Sequence, residues 1–513
     1  MKKSTIVALL VFLIILGVGY GFVSFVKPFL DKRTLLRTSD AQNISTTIRV
    51  GGDNYLGYWF ITSPETQKQL ARQGIRIDFQ NDGGAYADRL NKFADKELDM
   101  IVLPVKEYLD HGKKYNYPGV MVESIAESKG ADGIVCYQDK LPTGKIQDLN
   151  NRNLKIVYTS QSPSSFLLDL TIADFDLFQL RDNKDWRVEV ASSEEAYKKA
   201  QKKEGDCFVM WEPDISRALE IPGIKYVWGS DKFAGYIVDE FVVRRDFLEN
   251  NRDKVLNFFR TYFRAMSVYA NDQNRMIDEM SKTTGLKQDV VKTMLPKIEW
   301  FDLNENGMLQ FGVSSNPAIP GKDGIIDTIL QCLEVIRRTG SSLSVDPYLL
   351  TNKSIVEELS ANSAQSIYDD TTGSVIDFTE LVTDEWKKLR EVATIRVEPI
   401  EFGLGSNSLS DEDKDQVDKI AKLLTHNYPS YRVVVRGHTG PGSDENENVK
   451  LSLERSQVVA QRLIAVHSVD PDRLKAEGVG SGTSPSLRPG ESPRSLLYRM
   501  ARVEFVLFET NAF

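Results

Sequence analysis

The chain has 513 residues, which is too long for one ordinary hydrophobic core, so two or three domains are expected. Hydrophobic residues make up 41% and charged residues 27%, as in folded proteins. The formal net charge of −9 opposes attraction to phosphate backbones. This charge excludes nucleic acid as a partner.

The first predicted element is an N-terminal membrane anchor. Ser4 to Val26 carry no charge, and as a helix they would reach about 34 Å, enough to cross a bilayer core. A cleaved signal peptide is the alternative, but this run is longer than a usual signal core and no small-x-small site precedes Lys27. We therefore expect residues 1–46 to hold a cytoplasmic N-terminus, a single transmembrane helix and a short spacer.

Short apolar runs alternate with helical patterns from residue 47 to residue 350, which predicts a doubly wound α/β domain. Several runs are apolar throughout, as in buried parallel strands. The predicted strands are Ile48–Val50, Ile75–Phe79, Met100–Leu103, Gly133–Tyr137, Leu154–Tyr158 and Cys207–Met210. The predicted helices are Ala85–Ala94, Ser165–Ile172, Ser193–Lys202, Asp246–Ala270 and Gly324–Arg338.

The cysteines and histidines favour a protein without a metal or a cofactor. Cys136, Cys207 and Cys332 are widely spaced in apolar contexts, which favours buried free thiols over a disulfide or a ligand role. The four histidines show no HExxH spacing, and no CxxC pair is present. We expect neither a metal site nor a cofactor.

Candidate ligand residues follow the first predicted strand. The turn Gly51–Gly57 is punctuated by glycine and leads into aromatic residues at a strand's carboxyl end, where open α/β sheets bind ligands. Asn54, Tyr58 and Trp59 are the candidates. Burial of Tyr58 and Trp59 in the core at the start of a helix is the alternative.

A second candidate turn runs from Thr159 to Ser165, between a strand and a helix. Free N–H groups and the hydroxyls of Ser160, Ser162 and Ser164 would meet at a positive helix end, which suits an anion or a carbonyl-rich solute. Simple capping by Ser162 or Ser164 is the alternative. Acidic groups near strand ends favour an amine or a hydroxyl-rich solute instead, so the ligand charge stays open; they are Asp53, Asp82, Glu212 and Asp239.

These segments resemble the type II periplasmic binding proteins of the nitrate, taurine and thiamine-precursor transport group. The similar stretches are GYW after the first strand, LARQGIRIDF, GGAYADRLNKFADKELDMIVL, DLNNRNLKIVYTSQSPSSFLLD and EEAYKKAQKKEGDCFVMWEPDISRA. Together they cover about 300 residues. The resemblance implies a two-lobed fold whose cleft is also reached by Gly84, Trp211 and Glu212.

A separate pattern starts after a polar connector expected at residues 351–393. Within 394–513 we predict a small βαβαβ domain. Its elements are the strand Ile395–Phe402, the helix Ser410–His426, the strand Tyr431–Arg436, the helix Ser452–Val466 and the strand Val503–Phe508.

This last domain resembles the OmpA-like peptidoglycan-associated domains. The similar motifs are Gly437-His438-Thr439, Lys450 to Ser456, Gly478 to Gly482 and Ala501 to Phe505. The family clamps diaminopimelate with an Asp just after the first motif and an Arg on the next helix, through a carboxylate–ammonium pair and a forked guanidinium–carboxylate pair.

The chain departs from that clamp. Arg455 matches the Arg, but Gly440 stands in the place of the Asp, and Met500-Ala501 replaces the usual Asn-Arg pair. Thr439, Arg455 and Arg502 are therefore candidate peptidoglycan contacts in a damaged clamp. The alternative is that Arg455 stabilises its loop and the domain is a scaffold or binds a protein.

Together, these features predict a solute-binding receptor held in a bacterial inner membrane by one helix, with its bulk in the periplasm. It would capture a small polar solute for transport or sensing, and peptidoglycan and an ABC permease are its candidate partners. A wall-linked envelope scaffold with a non-functional cleft is the alternative. No catalytic constellation is visible in the sequence, so we do not expect an enzyme.

Overall fold

The computed structural model describes residues 44–314, 320–340, 342–363, 378–400, 402, 406–440, 444–482, 492, 496 and 499–510. Within these residues, no helix is long and apolar enough to cross a membrane. The predicted anchor, Ser4 to Val26, lies outside them.

Lobe 1 is a six-stranded mixed sheet of order β11-β4-β10-β3-β1-β2. Its strands are β1 (Thr46–Gly52), β2 (Ile75–Asn81), β3 (Met100–Pro104), β4 (Gly119–Ser128), β10 (Val238–Arg244) and β11 (Ile298–Trp300). Its first helices are α1 (Pro64–Arg72), α2 (Tyr86–Ala94) and α3 (Val105–Gly112), and a 3-10 turn covers Leu56–Thr62.

Lobe 2 is a five-stranded sheet of order β7-β6-β8-β5-β9. Its strands are β5 (Asp132–Tyr137), β6 (Ile156–Thr159), β7 (Arg187–Val190), β8 (Cys207–Trp211) and β9 (Ile224–Gly229). Its helices are α4 (Pro163–Asp174), α5 (Phe178–Asp182), α6 (Ser193–Lys202) and α7 (Asp214–Leu219).

The chain then returns to lobe 1 and adds a run of helices. They are α8 (Arg245–Asn250), α9 (Arg252–Ala270), α10 (Gln273–Thr284), α11 (Gln288–Met294), α12 (Leu303–Glu305), α13 (Gly324–Arg338) and α14 (Ser354–Ser363). Helix α14 lies in the segment expected to be a connector, yet Ile355 and Leu359 are buried in the lobe 1 core. Burying such side chains contributes about 1.5–3 kcal/mol each.

Two segments cross between the lobes. The first joins β4 to β5 through residues 129–131, and the second joins β9 to β10 through residues 230–237. Ser230 ties them together, because its hydroxyl accepts from the N–H groups of Gly130 (2.8 Å) and Asp132 (3.2 Å). These crossings form the hinge.

The C-terminal domain has a four-stranded sheet of order β12-β15-β13-β14. Its elements are α15 (Thr383–Trp386), β12 (Glu391–Ile395), α16 (Asp411–Lys422), a π-helical turn Leu423–Asn427, β13 (Arg432–Gly437), α17 (Glu445–His467), β14 (Leu474–Gly478) and β15 (Val503–Phe508). The first strand ends at Ile395, earlier than the predicted Ile395–Phe402, and α17 begins seven residues before the predicted Ser452.

Two expectations were wrong in the α/β domain. The sheets are mixed, because β10 pairs antiparallel with both β3 and β4, and β5 pairs antiparallel with β8 and β9. Cys136 and Cys207 are not free thiols but form a disulfide, while Cys332 is free and buried. The two half-cystines are directly opposite each other on β5 and β8, a proximity that the sheet creates and that sequence spacing does not reveal.

Candidate functional site: the interlobe cleft and the C-terminal pocket

The lobe 1 side of the cleft is an acidic and aromatic surface at the ends of β1 and β10. Asp53 and Asp82 both hold the guanidinium of Arg89, at 2.9 and 2.6 Å, and Arg89 has no exposed surface. Tyr58 donates its hydroxyl proton to Asp239, and both residues are buried. The cation on this wall is therefore already neutralised by two carboxylates, and the Tyr58 hydroxyl is engaged by a third.

Tyr55 lies between the two lobes. Burial raises the pKa of its hydroxyl well above the usual value, and the charges of Asp239 and Asp53 from lobe 1 and of Asp132 from lobe 2 raise it further. The Tyr55 hydroxyl is buried without a hydrogen-bond partner within the described ranges. Its ring meets that of Tyr58 edge-on at 5.3 Å.

Two of the carboxyl groups around Tyr55 have raised pKa values. Burial raises the pKa of Asp132 to about 6, despite the hydrogen bond that Ser128 donates to it at 2.8 Å. Burial also raises the pKa of Asp239 well above its usual range, and the charges of Asp53 and Asp132 add to the effect. Both groups are therefore sites where a bound cation or hydrogen-bond donor would be favourable.

The candidate turn of lobe 2 is the N-terminus of α4. Ser162 is buried and engaged in the turn, since its hydroxyl donates to the Thr159 carbonyl at 2.7 Å and its N–H donates to the Ser165 hydroxyl at 3.1 Å. By contrast, the Thr159 and Ser164 hydroxyls are buried and find no partner in the part of the chain that is described. A buried hydroxyl without a partner costs about 1–3 kcal/mol, which a solute's polar atoms would recover.

The remaining predicted ligand residues fall in different places. Ser160 is half-buried in the same turn, Asn54 is exposed, and Gly84 begins the α2 loop at φ +89° with open space where a Cβ would lie.

Trp59 belongs to the core of lobe 1. It is 5% exposed, its indole N–H donates to Thr283 at 2.8 Å, and its ring contacts Tyr269 at 4.9 Å. The core alternative considered for Trp59 therefore describes its environment, and we do not place it in the cleft.

Trp211 and Glu212 lie at the lobe boundary, and both are engaged by other residues of the protein. Trp211 exchanges backbone hydrogen bonds with the Ser193 hydroxyl at 3.2 and 3.3 Å. Glu212 is buried, accepts from the Ser216 hydroxyl at 2.9 Å and forms an ion pair with Lys297. Since Lys297 precedes β11, the Glu212–Lys297 pair joins lobe 2 to lobe 1.

A cavity of about 280 Å³ lies between α3, α4 and α13, beside this boundary. Lys106 lines it, but its ammonium lies 3.0 Å from Asp110 and 3.5 Å from Glu107. Within the described ranges, no group of His, Cys, Asp and Glu could hold a metal ion.

The pocket of the C-terminal domain is largely satisfied by its own residues. Arg455 is 6% exposed, donates from Nε to the Ser406 carbonyl at 3.0 Å and lies over the Phe402 ring at 4.9 Å. These contacts fit the alternative in which Arg455 stabilises its loop. A Cβ at Gly440 would meet nothing within 4 Å, so the position has room for a side chain.

The second arginine of this pocket is also paired. Arg502 donates to Glu504 at 2.7 Å, and Nε2 of His438 lies 3.0 Å from the other carboxylate oxygen. Burial would raise the pKa of Glu504, but His438 and Arg502 outweigh it and hold this pKa at about 2. Thr439 keeps a buried hydroxyl with no partner in the described part of the domain, while its N–H donates to Gly480 at 2.9 Å.

Sequence reasoning missed Tyr55, Asp132 and Thr159 as site groups. The signal was present for Tyr55 and Thr159, which stand in the two turns already singled out. Asp132 could be found only after β4 and the first crossing were recognised.

Comparison with known proteins gives one family match and a set of structures of similar fold. Residues 401–492 match the OmpA family. Structures similar to the N-terminal part of the chain are periplasmic solute-binding proteins. No curated protein matches the chain in sequence.

Three solved structures illustrate the similarity. The periplasmic aliphatic sulphonate-binding protein of Escherichia coli is 14% identical, with 61% of this chain and 96% of that chain covered and a TM-score of 0.44. The alkanesulfonate-binding protein of Xanthomonas axonopodis pv. citri, bound to MOPS, is 13% identical with 61% and 97% covered and a TM-score of 0.43. The periplasmic nitrate-binding protein of Synechocystis is 12% identical with 64% and 90% covered and a TM-score of 0.43.

Proposed function

We propose that the chain is a periplasmic receptor that captures a small polar solute between its two lobes. The observation that carries this proposal is the pair of buried hydroxyls without partners, Thr159 and Ser164, at the N-terminus of α4. A twelve-residue helix directs its positive end and free N–H groups at that point. The tyrosine hydroxyls and carboxylates of lobe 1 would form the other wall of the cleft.

The solute that suits these walls carries hydrogen-bond acceptors at one end and donors or a cationic group at the other. Acceptors would meet Thr159, Ser164 and the helix N-terminus, while donors would meet Asp239 and Tyr55. Both walls are needed, so binding would draw the lobes together about the hinge.

The test is to purify the full chain and identify co-purifying small molecules by native mass spectrometry. A solute found in this way should raise the unfolding temperature of the wild type, because it binds the folded state alone. Ser164→Ala and Thr159→Val should reduce that shift. Thr171→Val is the matched control, since its hydroxyl is already bonded to the Leu167 carbonyl within α4 at 2.7 Å. Absence of any solute and of any thermal shift would favour the scaffold.

We also propose that Ser4–Val26 anchors the receptor in the inner membrane, with the C-terminal domain facing the cell wall and an ABC permease as a candidate partner. A phosphatase fused after Phe513 should be active, and the protein should stay in the membrane fraction. Soluble periplasmic protein that begins near residue 27 would contradict the anchor.

A second candidate role concerns the C-terminal domain alone. Because Arg455 and Arg502 are already paired, this domain is proposed to bind peptidoglycan weakly and to serve chiefly as a structural or protein-binding unit.

A further inference from the structure

The second crossing segment, residues 230–237, is held from several directions. The Gly235 N–H donates to Glu127 of lobe 1 at 2.6 Å, and the Tyr236 hydroxyl lies 3.4 Å from Asp174 of lobe 2. Since rotation of the lobes must change the backbone of this segment, whatever binds it also affects closure.

The C-terminal domain binds this segment directly. The Ala234 N–H donates to the Asn427 carbonyl at 2.8 Å, and the Asn427 side-chain amide donates back to the Ala234 carbonyl at 2.7 Å. The same amide donates to Gln331 of α13 at 2.5 Å. Asn427 has no exposed surface, so the hinge, α13 and the C-terminal domain meet at this one side chain.

The loop that carries Asn427 is rigid. Arg473 is buried and donates to the carbonyls of Leu424 (2.9 Å), Tyr428 (2.5 Å) and Tyr431 (2.6 Å). A loop fixed in this way cannot follow the hinge by bending, so hinge rotation must move the whole domain or break the Ala234–Asn427 pair.

A second contact links the cleft to the same domain through α4. This helix begins beside Ser164 and ends at Asp174, which is fully buried. The Asp174 carboxylate accepts from Tyr428 of the C-terminal domain (2.6 Å) and from Arg338 of α13 (2.7 Å). Its backbone carbonyl accepts from the Arg396 N–H at 2.6 Å. A helix of twelve residues, about 18 Å long, thus connects the solute-facing turn to the docked domain.

We infer that the C-terminal domain regulates lobe rotation: by docking on the second crossing and on the end of α4, it favours the relative position of the lobes seen in this structure. The domain holds Ala234, Gln331 and Asp174 in one relative arrangement, which fixes the second crossing, α13 and the end of α4 against one another. The biological use of this regulation rests on the proposed solute-binding function. The coupling between docking and lobe rotation does not depend on it. By linkage, docking and solute binding change each other's equilibrium constant by the same factor.

The test needs no solute. Spin labels are placed at Asp88→Cys on α2 and Lys198→Cys on α6, two exposed positions on opposite lobes of the full chain. Cys332 is buried and the other cysteines are paired, so they do not compete for label. Interlobe distances are measured by pulsed dipolar spectroscopy, and docking is followed by hydrogen exchange at the Ala234 amide.

Asn427→Arg places a long cation where no space exists and should undock the domain. We expect exchange at Ala234 to accelerate at least about tenfold and a second interlobe distance to appear. Thr425→Arg introduces the same side chain at an exposed position two residues away. It should change neither the exchange rate at Ala234 nor the interlobe distance. Tyr428→Phe, which removes one hydroxyl from Asp174, should shift the distances in the same direction by less and covers the case that Asn427→Arg misfolds.

Faster exchange at Ala234 with an unchanged distance distribution would overturn the inference, since docking would then not bear on closure. Unchanged exchange in Asn427→Arg would also overturn it, because Asn427 would not hold the hinge. Failure of the receptor itself is distinguishable, because it would show as absence of bound solute while these distances still respond.

Discussion

The interlobe cleft and the pocket of the C-terminal domain differ in how their buried polar groups are paired. In the C-terminal pocket, Arg455 and Arg502 are paired with a carbonyl and with Glu504. In the cleft, the hydroxyls of Tyr55, Thr159 and Ser164 are buried without partners in the described structure. The hydroxyl of Thr439 in the pocket also has no partner in the described structure. Unpaired buried groups lower stability and mark places that a ligand can complete, so the cleft, with three of them, is the stronger candidate for binding, while the arginines of the pocket are already paired.

The largest effect expected from this comparison is the pH dependence that Asp132 gives to the stability of the protein. Because burial raises its folded pKa from 3.8 to about 6, stability is highest when Asp132 is protonated and falls as the pH rises between these values. Asp132→Asn should stabilise the protein by about 3 kcal/mol at pH 7.5 and by little at pH 4. Urea unfolding at both pH values measures this. An equal change in the free energy of unfolding at both pH values would show that the charge of Asp132 does not destabilise the folded protein.

Glu504 should behave with the opposite sign. Its folded pKa of about 2 lies below the ordinary 4.5, so its stabilisation is present above pH 4.5 and is lost as the pH falls towards 2. Glu504→Gln should therefore cost about 2 kcal/mol at pH 7 and much less at pH 2.5, by the same unfolding measurement. If Glu504→Gln stabilised the protein at pH 7, the pocket would be a site under strain like the cleft.

Gly440→Asp would restore the acidic half of the clamp. Its side chain fits, and pairing with a ligand ammonium should raise binding to purified sacculi about tenfold, or ~1.4 kcal/mol, in a sedimentation assay. Gly440→Asn is the control, with similar size and no charge. Strong wild-type binding that Arg455→Ala abolishes would show that the pocket is open to peptidoglycan after all.

Ser164→Ala should have the smallest effect and the most local one. Removing a hydroxyl that has no partner in the described structure should leave the free energy of unfolding unchanged or slightly higher. It should weaken binding of the identified solute by about five- to tenfold, or ~1 kcal/mol. Calorimetric titration beside the Thr171→Val control separates the two readouts. A clear loss of stability with unchanged affinity would mean that Ser164 supports the fold and not the ligand.

Sequence patterns predicted the regular elements better than the hinge. Helix α6 and helix α13 begin and end where helical periodicity placed them. Strands β4 and β10 were missed because Glu123, Glu127, Asp239 and Glu240 interrupt their apolar runs, although all four are buried. Without these strands, the first crossing and Asp132 could not be predicted.

The candidate site shows the same limit. Strand-end turns were singled out as places where polar groups collect, as at Tyr58 and Ser164, and that expectation follows from sheet geometry. Whether an aromatic residue faces the cleft or the core depends on helix packing, so Trp59 could not be assigned. The contact between Asn427 and Ala234 joins residues nearly 200 positions apart, and no local pattern encodes it.

The Cys136–Cys207 disulfide closes a covalent ring of the intervening chain, with a separation of 71 residues. The candidate turn from Thr159 to Ser165 and all of α4 lie inside this ring. A ring of this size removes about 4 kcal/mol of chain entropy from the unfolded state, and such bonds persist in oxidising compartments. Lobe 2 therefore reaches its full stability only where this disulfide can form, and a single backbone cut within the ring would leave both fragments attached.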